Sequence, residues 1–180
     1  MIKAILAVGE NGEIGQDGDM PWKRRLPKDL EYFKKMTLGC EVFMGNTTFK
    51  TLPFKDGFPE RRNSILTTKV PAQCSTGYKE KSGNCVYMNK TYMKNVLLTL
   101  NEDLRHHTGW IVGGSRIYVQ FWDYVEEVHL TRVKDSFPDA DTFFPVDISL
   151  GLNDFEKVGR SIDVSGDDLE AYVEVWRRVE

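Results

Sequence analysis

The chain has 180 residues, 41% of them hydrophobic and 28% charged, with 15 Gly and 7 Pro, the makeup of an ordinary globular protein. That length predicts one domain, taken as residues 1–180, burying roughly 70% of the unfolded surface without any staple. The formal charge of -3 excludes a broad cationic footprint for nucleic acid, despite the local basic spots "KRR" at 23–25 and "RR" at 61–62.

Cys40, Cys74 and Cys85 are odd in number and lack C-x-x-C spacing. They argue against a disulfide framework or a cysteine zinc site and for a reducing, cytoplasmic setting. No apolar run approaches the ~20 residues that span a bilayer, and "MIKAILAVGENG" has no small-residue cleavage site, so it reads as a first strand. His106, His107 and His129 have no carboxylate spacing suited to a metal, and none is expected.

In chain order, "IKAILAV" is a near-continuous apolar run, the pattern of a central strand covered on both faces. The connector "GENGEIGQDGDMPWKRRL" follows, with four Gly and the aromatic Trp22. Its length and composition suit a functional loop able to close as a lid. A helix is expected at Pro27–Leu38. At about 100° per residue, Leu30, Tyr32, Phe33 and Met36 share one arc, and Lys28, Glu31, Lys34 and Lys35 share the other. Asp29 lands near the centre of the apolar arc, where a carboxylate must lose water and is costly unless something meets it. The alternative is an ordinary first-turn acid behind Pro27, favoured by exposed N–H groups and the helix dipole.

Beyond that helix, strands are expected at "EVFMG", "NSILTT", "CVYM", "GWIVGG", "EEVHLTRV", "FEKVG" and "AYVEVWRRV". Helices are expected at Thr47–Leu52, Tyr92–Leu104 and Ser115–Trp122, and a second long connector at "VPAQCSTGYKEKSGN". The fold class is therefore α/β: a mixed, mostly parallel eight-stranded sheet with flanking helices and an antiparallel C-terminal hairpin.

Three strand ends suit phosphate. "WIVGGSRIY" closes a buried strand with Gly113 and Gly114 before a helix, and "VFMGNTTF" repeats the arrangement with Gly45, Asn46, Thr47 and Thr48. "SILTTK" adds Thr67, Thr68 and Lys69. Each alone also reads as a tight turn or a polar strand terminus, and none matches the full G-x-G-x-x-G fingerprint. Together they offer what a dinucleotide with two phosphates needs from adjacent strand ends.

The ordered series "IG" at 14–15, "MPW" at 20–22, Asp29 with Phe33 and Thr37, "MG" with Thr48, "RRN" at 61–63, "VGGSRIY", "LTRV" and "DTFFP" at 141–145 closely resembles dihydrofolate reductase. The resemblance spans Ile2 to Pro145. It implies NADPH-dependent reduction of 7,8-dihydrofolate to tetrahydrofolate, with hydride delivered to pterin C6 and a proton gained at N5. It implies that Asp29 pairs with the pterin's 2-amino group and ring N–H, a charge-assisted contact that would explain an acid on an apolar face. Under the same resemblance Asp29, Trp22, Met20 and Thr131 are catalytic. Thr131 bonds near the acid, Trp22 helps order water there, and Met20 and its loop close the site.

The resemblance also implies substrate contacts at Ile5, Ala7, Leu30, Phe33 and Leu52, and a grip by Arg61 on the glutamate α-carboxylate. NADPH contacts fall to Ala7, Ile14, Gly45, Asn46, Thr47, Thr48, Thr67, Thr68, Lys69, Gly113, Gly114, Ser115, Arg116 and Ile117. The implied partner is dihydrofolate alone, for a monomer that binds neither nucleic acid nor membrane. Three departures stand out: Asn46 occupies a position that is commonly basic, with Lys69 available to supply that charge. The link from Trp22 to Asp29 is about two residues longer than in short bacterial members, and the glycine motif reads "GGS" where "GGG" is usual. A riboflavin-pathway reductase of the same fold would lack the acid after "MPW". An idle nucleotide-binding protein would have no need of the set Asp29, Trp22, Thr131 and Arg61.

Overall fold

The computed structural model describes residues 1–69, 78–80, 84–102, 107–144 and 151–179. Most of the second long connector, with Cys74, lies outside the described residues, as do His106 and Pro145. The chain divides into two compact units, one formed by residues 1–3 and 37–125 and the other by 4–36 and 126–180.

The first unit is built on parallel strands. β3 (Glu41–Gly45), β4 (Arg62–Leu66), β6 (Cys85–Met88) and β7 (Gly109–Gly113) adjoin in the order β7-β3-β4-β6, and the short β5 (Tyr78–Glu80) pairs antiparallel beyond β6. Parallel neighbours require crossover connections: α2 (Asn46–Thr51) lies between β3 and β4, α3 (Lys90–Glu102) between β6 and β7, and α4 (Ser115–Phe121) follows β7. Val42, Phe43, Met44, Ile65 and Ile111 are fully buried, in keeping with strands covered on both faces. α3 begins two residues before the sequence-based start because Asn89 caps it, its Oδ1 accepting from Tyr92 N–H at 2.8 Å.

The second unit is largely antiparallel. β8 (Glu127–Val133) pairs along its length with β11 (Ala171–Arg178), which pairs in turn with β10 (Phe155–Asp163). The β10–β11 register shifts between Val158 and Ile162, where Gly159 holds φ +70°, the left-handed conformation that bulges reserve for glycine. β1 (Ile2–Val8) brings Ala4–Val8 to this unit, and α1 (Pro27–Thr37) follows the lid segment. The core joins Trp22, Leu26, Val133, Phe137, Val164, Leu169, Ala171 and Val173, with Ala7, Met20 and Tyr32 packed against it. All eight expected strands form. Three short ones join them: β2 (Glu13–Gly15), β5, and β9 (Thr142–Phe143), which pairs with β2.

Candidate active site

α1 forms where its wheel placed it, and its apolar arc buries the acid. Asp29 is 8% exposed, and Thr131 Oγ1 donates to its Oδ1 at 2.6 Å. Burial raises the Asp29 pKa from its ordinary value, and the Thr131 hydroxyl opposes that rise. Among the described residues no donor meets Oδ2. A carboxylate with one neutral hydrogen bond is undercompensated in this setting, so the first-turn dipole alone does not account for it. Leu30 and Phe33, half-buried on the same helix, lie beside it in sequence order, and Ile5 and Ala7 come from β1.

Trp22 is 1% exposed and packs against Phe137 with ring centroids 5.4 Å apart and planes tilted by 58°, so the aromatic residue of the long connector is a core residue. Its indole N–H is buried and meets no acceptor among the described residues, a donor placed for a water or a ligand atom. Met20 is half-buried against the same cluster, and Ile14 sits half-buried in β2.

The long connector between β1 and α1 is pinned by two acids, Glu13 and Asp141, whose hydrogen bonds the sequence reading did not foresee. Glu13, 2% exposed, accepts from Asn11 N–H at 2.8 Å, Asn11 Nδ2 at 3.0 Å and Phe137 N–H at 3.0 Å. Burial works to raise its pKa, but those hydrogen bonds prevail and hold it low. Asp141 accepts from Asp17 N–H and Thr142 Oγ1, both at 2.7 Å, which lowers its pKa. An "N-x-E" facing a distant backbone N–H has no local periodicity, so only the fold reveals it.

In the first unit the three expected strand ends come together. β7, β3 and β4 are adjacent and parallel, with Met44 opposite Gly113 and Gly45 opposite Leu66. Their C-terminal ends therefore present Gly113–Ile117, Gly45–Thr48 and Thr67–Lys69 side by side. Thr67 N–H donates to Met88 C=O at 2.9 Å and its Oγ1 accepts from Lys69 N–H at 3.1 Å, leaving Thr68 and Lys69 exposed. Asn46 and Ser115 are half-buried, Thr47 and Arg116 exposed, and Ile117 buried. The Gly113–Gly114 peptide is cis, with Gly113 at φ +109°. A Cβ on Gly114 would stand 2.9 Å from Thr48 Oγ1, so a side chain there would fill the cradle. Glycine backbone at adjacent strand ends, with first-turn N–H groups and hydroxyls, fits a dinucleotide's phosphates.

Arg61 is 5% exposed. Its Nε donates to Thr37 Oγ1 at 2.9 Å and its Nη1 to Pro59 C=O at 2.6 Å, which fixes the guanidinium plane. Burial pushes its pKa down from the ordinary value. Leu52, half-buried, ends α2.

Parallel strand ends shaped for a phosphate chain, in a protein that keeps a buried and undercompensated carboxylate, mark the class as an enzyme working with a nucleotide cofactor. The family model described as Dihydrofolate reductase matches residues 1–178. The dihydrofolate reductase of Aedes albopictus is 34% identical over 176 residues, 92% of this chain and 88% of that protein. That of Staphylococcus haemolyticus is 28% identical over 180 residues, 99% of this chain and 96% of that protein. Among solved structures, the Enterococcus faecalis dihydrofolate reductase complexed with NADP(H) and RAB-propyl superposes with a TM-score of 0.79 at 26% identity, covering 100% of this chain and 97% of that one. The chain thus belongs to the dihydrofolate reductase family. Its activity is NADPH-dependent reduction of 7,8-dihydrofolate to 5,6,7,8-tetrahydrofolate, a step that supports one-carbon and nucleotide synthesis.

Proposed function

We propose that Asp29 is the residue around which this chain organises the reduction, holding the pterin by its 2-amino group and ring N–H. The supporting observation is the buried carboxylate that has Thr131 on one oxygen and, among the described residues, no donor on the other. NADPH, when bound, supplies the hydride that passes to pterin C6. Everything else falls to the protein. Thr131 orients the Asp29 carboxylate, and the carboxylate's charge favours a proton at N5. Trp22 offers its unpartnered indole N–H to the water that carries that proton, and Met20 closes over the site and keeps bulk solvent out. Ile5, Ala7, Leu30, Phe33 and Leu52 give apolar contact to the substrate, and Arg61, its plane already fixed, takes the glutamate α-carboxylate.

For the cofactor, Gly113, Gly114, Ser115, Arg116 and Ile117 hold the pyrophosphate with Gly45, Asn46, Thr47 and Thr48. Thr67, Thr68 and Lys69 face the 2′-phosphate, and Ala7 and Ile14 lie against the nicotinamide. No helix of the described residues is long and apolar enough to cross a membrane. We read the protein as a single-domain, cytoplasmic monomer with no nucleic-acid partner, in keeping with its formal charge of -3 and its odd number of cysteines without C-x-x-C spacing.

The test follows loss of NADPH absorbance on adding dihydrofolate, with the wild type and Asp29→Asn run side by side. Turnover that collapses in Asp29→Asn while NADPH still binds is the expected result. Equal rates in the two proteins would remove Asp29 from the mechanism.

A further inference from the structure

Behind the acid lies a buried polar chain that the reaction as described does not use. Tyr32, one helical turn after Asp29, hydrogen-bonds through its hydroxyl to His129 Nδ1 at 2.7 Å. His129 Nε2 meets Glu127 Oε1 at 2.9 Å, and Arg177 Nη2 donates to Glu127 Oε2 at 3.0 Å. His129 is 6% exposed and Glu127 5%, whereas the Arg177 side chain is 57% exposed. The chain therefore runs from the interior beside Asp29 out to solvent.

The arrangement follows from strand and helix periods. Alternation along β8 sends Glu127, His129 and Thr131 to one face. On the helix, Asp29 and Tyr32 are three apart and so neighbours. Two rungs result between α1 and β8, Asp29–Thr131 at 2.6 Å and Tyr32–His129 at 2.7 Å. The register Glu127↔Arg177 places the arginine on that same face, while the Arg132–Glu174 pair belongs to the opposite one. From α1 the chain meets Tyr32 and Asp29, from β8 His129 and Glu127, and from β11 Arg177. One ring tautomer serves both of these partners: Nε2–H donates to Glu127 and Nδ1 accepts the Tyr32 hydroxyl. Asp29 and Glu127 both act on Tyr32, whose pKa is raised to about 12 by burial first and by these two carboxylates next. Glu127 lies on the same face of β8 as Thr131, the residue that meets Asp29.

We propose that the Arg177–Glu127–His129–Tyr32 chain is a positioning device for Asp29, fixing the helical turn that carries the acid and setting, through the Glu127 charge, the pH at which Asp29 ionises. Glu127 and His129 act through other residues and touch neither substrate nor cofactor. The proposal rests on the reading of Asp29 given above.

The experiment is a 13C-carboxyl NMR titration of Asp29 in the ligand-free protein, assigned with Asp29→Asn, in wild type and Glu127→Gln. Glu127→Gln keeps the shape and an acceptor for His129 but removes a negative charge. The Asp29 midpoint is expected to fall by about half a pH unit, the order of magnitude for one charge a few residues along the same strand face in a partly screened interior, and the pH profile of hydride transfer to move the same way. An unmoved or raised Asp29 midpoint overturns the proposal. Should Glu127→Gln fail to fold, Arg177→Gln at the exposed end carries the test with the opposite sign. Its Asp29 midpoint rises if the chain acts as described, and an unmoved or lowered one overturns it. Failure of the underlying reading looks different: Asp29→Asn then turns over as wild type does, whatever the titration shows.

Discussion

The bond between Thr131 and Asp29 admits a quantitative test by a double-mutant cycle. The two groups are 2.6 Å apart, 3% and 8% exposed, and 102 residues apart in sequence. A hydrogen bond to a charged group contributes about 1.5–3 kcal/mol and a neutral one about 1 kcal/mol. Thr131→Val removes the hydroxyl at constant shape, and Asp29→Asn removes the charge while keeping an acceptor, so the cycle isolates the charge-assisted part, about 0.5–2 kcal/mol at pH 8.

The pH dependence has a definite sign. The folded-state pKa of Asp29 is raised from 3.8 by burial, so its contribution to stability is full below the unfolded-state pKa and is lost as pH rises through the raised folded-state value. At pH 8 Asp29→Asn is therefore more stable than the wild type, Thr131→Val is less stable, and their coupling is largest. Urea denaturation of the four proteins at pH 8 and near pH 4 measures all three, with the coupling shrinking toward the acid end. A coupling that is equal at both pH values, or within about 0.3 kcal/mol of zero at pH 8, would refute the electrostatic account of this pair.

Further outcomes follow from the lid and the strand ends. Trp22→Phe removes an indole N–H that meets no acceptor among the described residues. Its turnover should fall about tenfold, the worth of one hydrogen bond near 1.4 kcal/mol, with NADPH affinity in equilibrium titration unchanged. Glu13→Gln weakens three hydrogen bonds to a carboxylate whose pKa is held low. It should cost about 1–2 kcal/mol in denaturant melts at neutral pH, a difference that disappears as acid protonates the wild-type group through its lowered folded-state pKa. Gly114→Ala sets a methyl 2.9 Å from Thr48 Oγ1. NADPH binding by fluorescence should weaken by about 1–3 kcal/mol, and Thr48→Ala in the same chain should restore part of the loss.

The parts of this protein legible in its sequence are those written by local periodicity. Asp29 announced itself because a 3.6-residue period puts it among Leu30, Tyr32, Phe33 and Met36, and the structure buries it there. The three phosphate-suited turns were marked by glycine, threonine and apolar runs, and parallel pairing made them neighbours. The pairing of β2 with β9 was not legible, since three residues meeting two carry too short a pattern to register. Nor was the Glu127–His129 contact. His129 was read as a strand residue whose carboxylate spacing makes no metal site, and its polar contacts come from residues distant in sequence, Tyr32 on α1 and, through Glu127, Arg177 on β11.

The distance in sequence between Asp29 and Thr131 also bears on the order in which the protein is made. At about 5–20 residues per second, α1 leaves the ribosome roughly 5–20 s before the 102-residue gap to Thr131 is closed. Glu127 waits a further 50 residues for Arg177. Until β8 and β11 arrive, the acid has neither its hydrogen-bond donor nor its apolar cover and stays in water as an ordinary charged side chain. Nascent chains stalled before β8 should accordingly expose α1 to protease, and the Asp29 carboxylate is among the last of the buried groups to enter the interior.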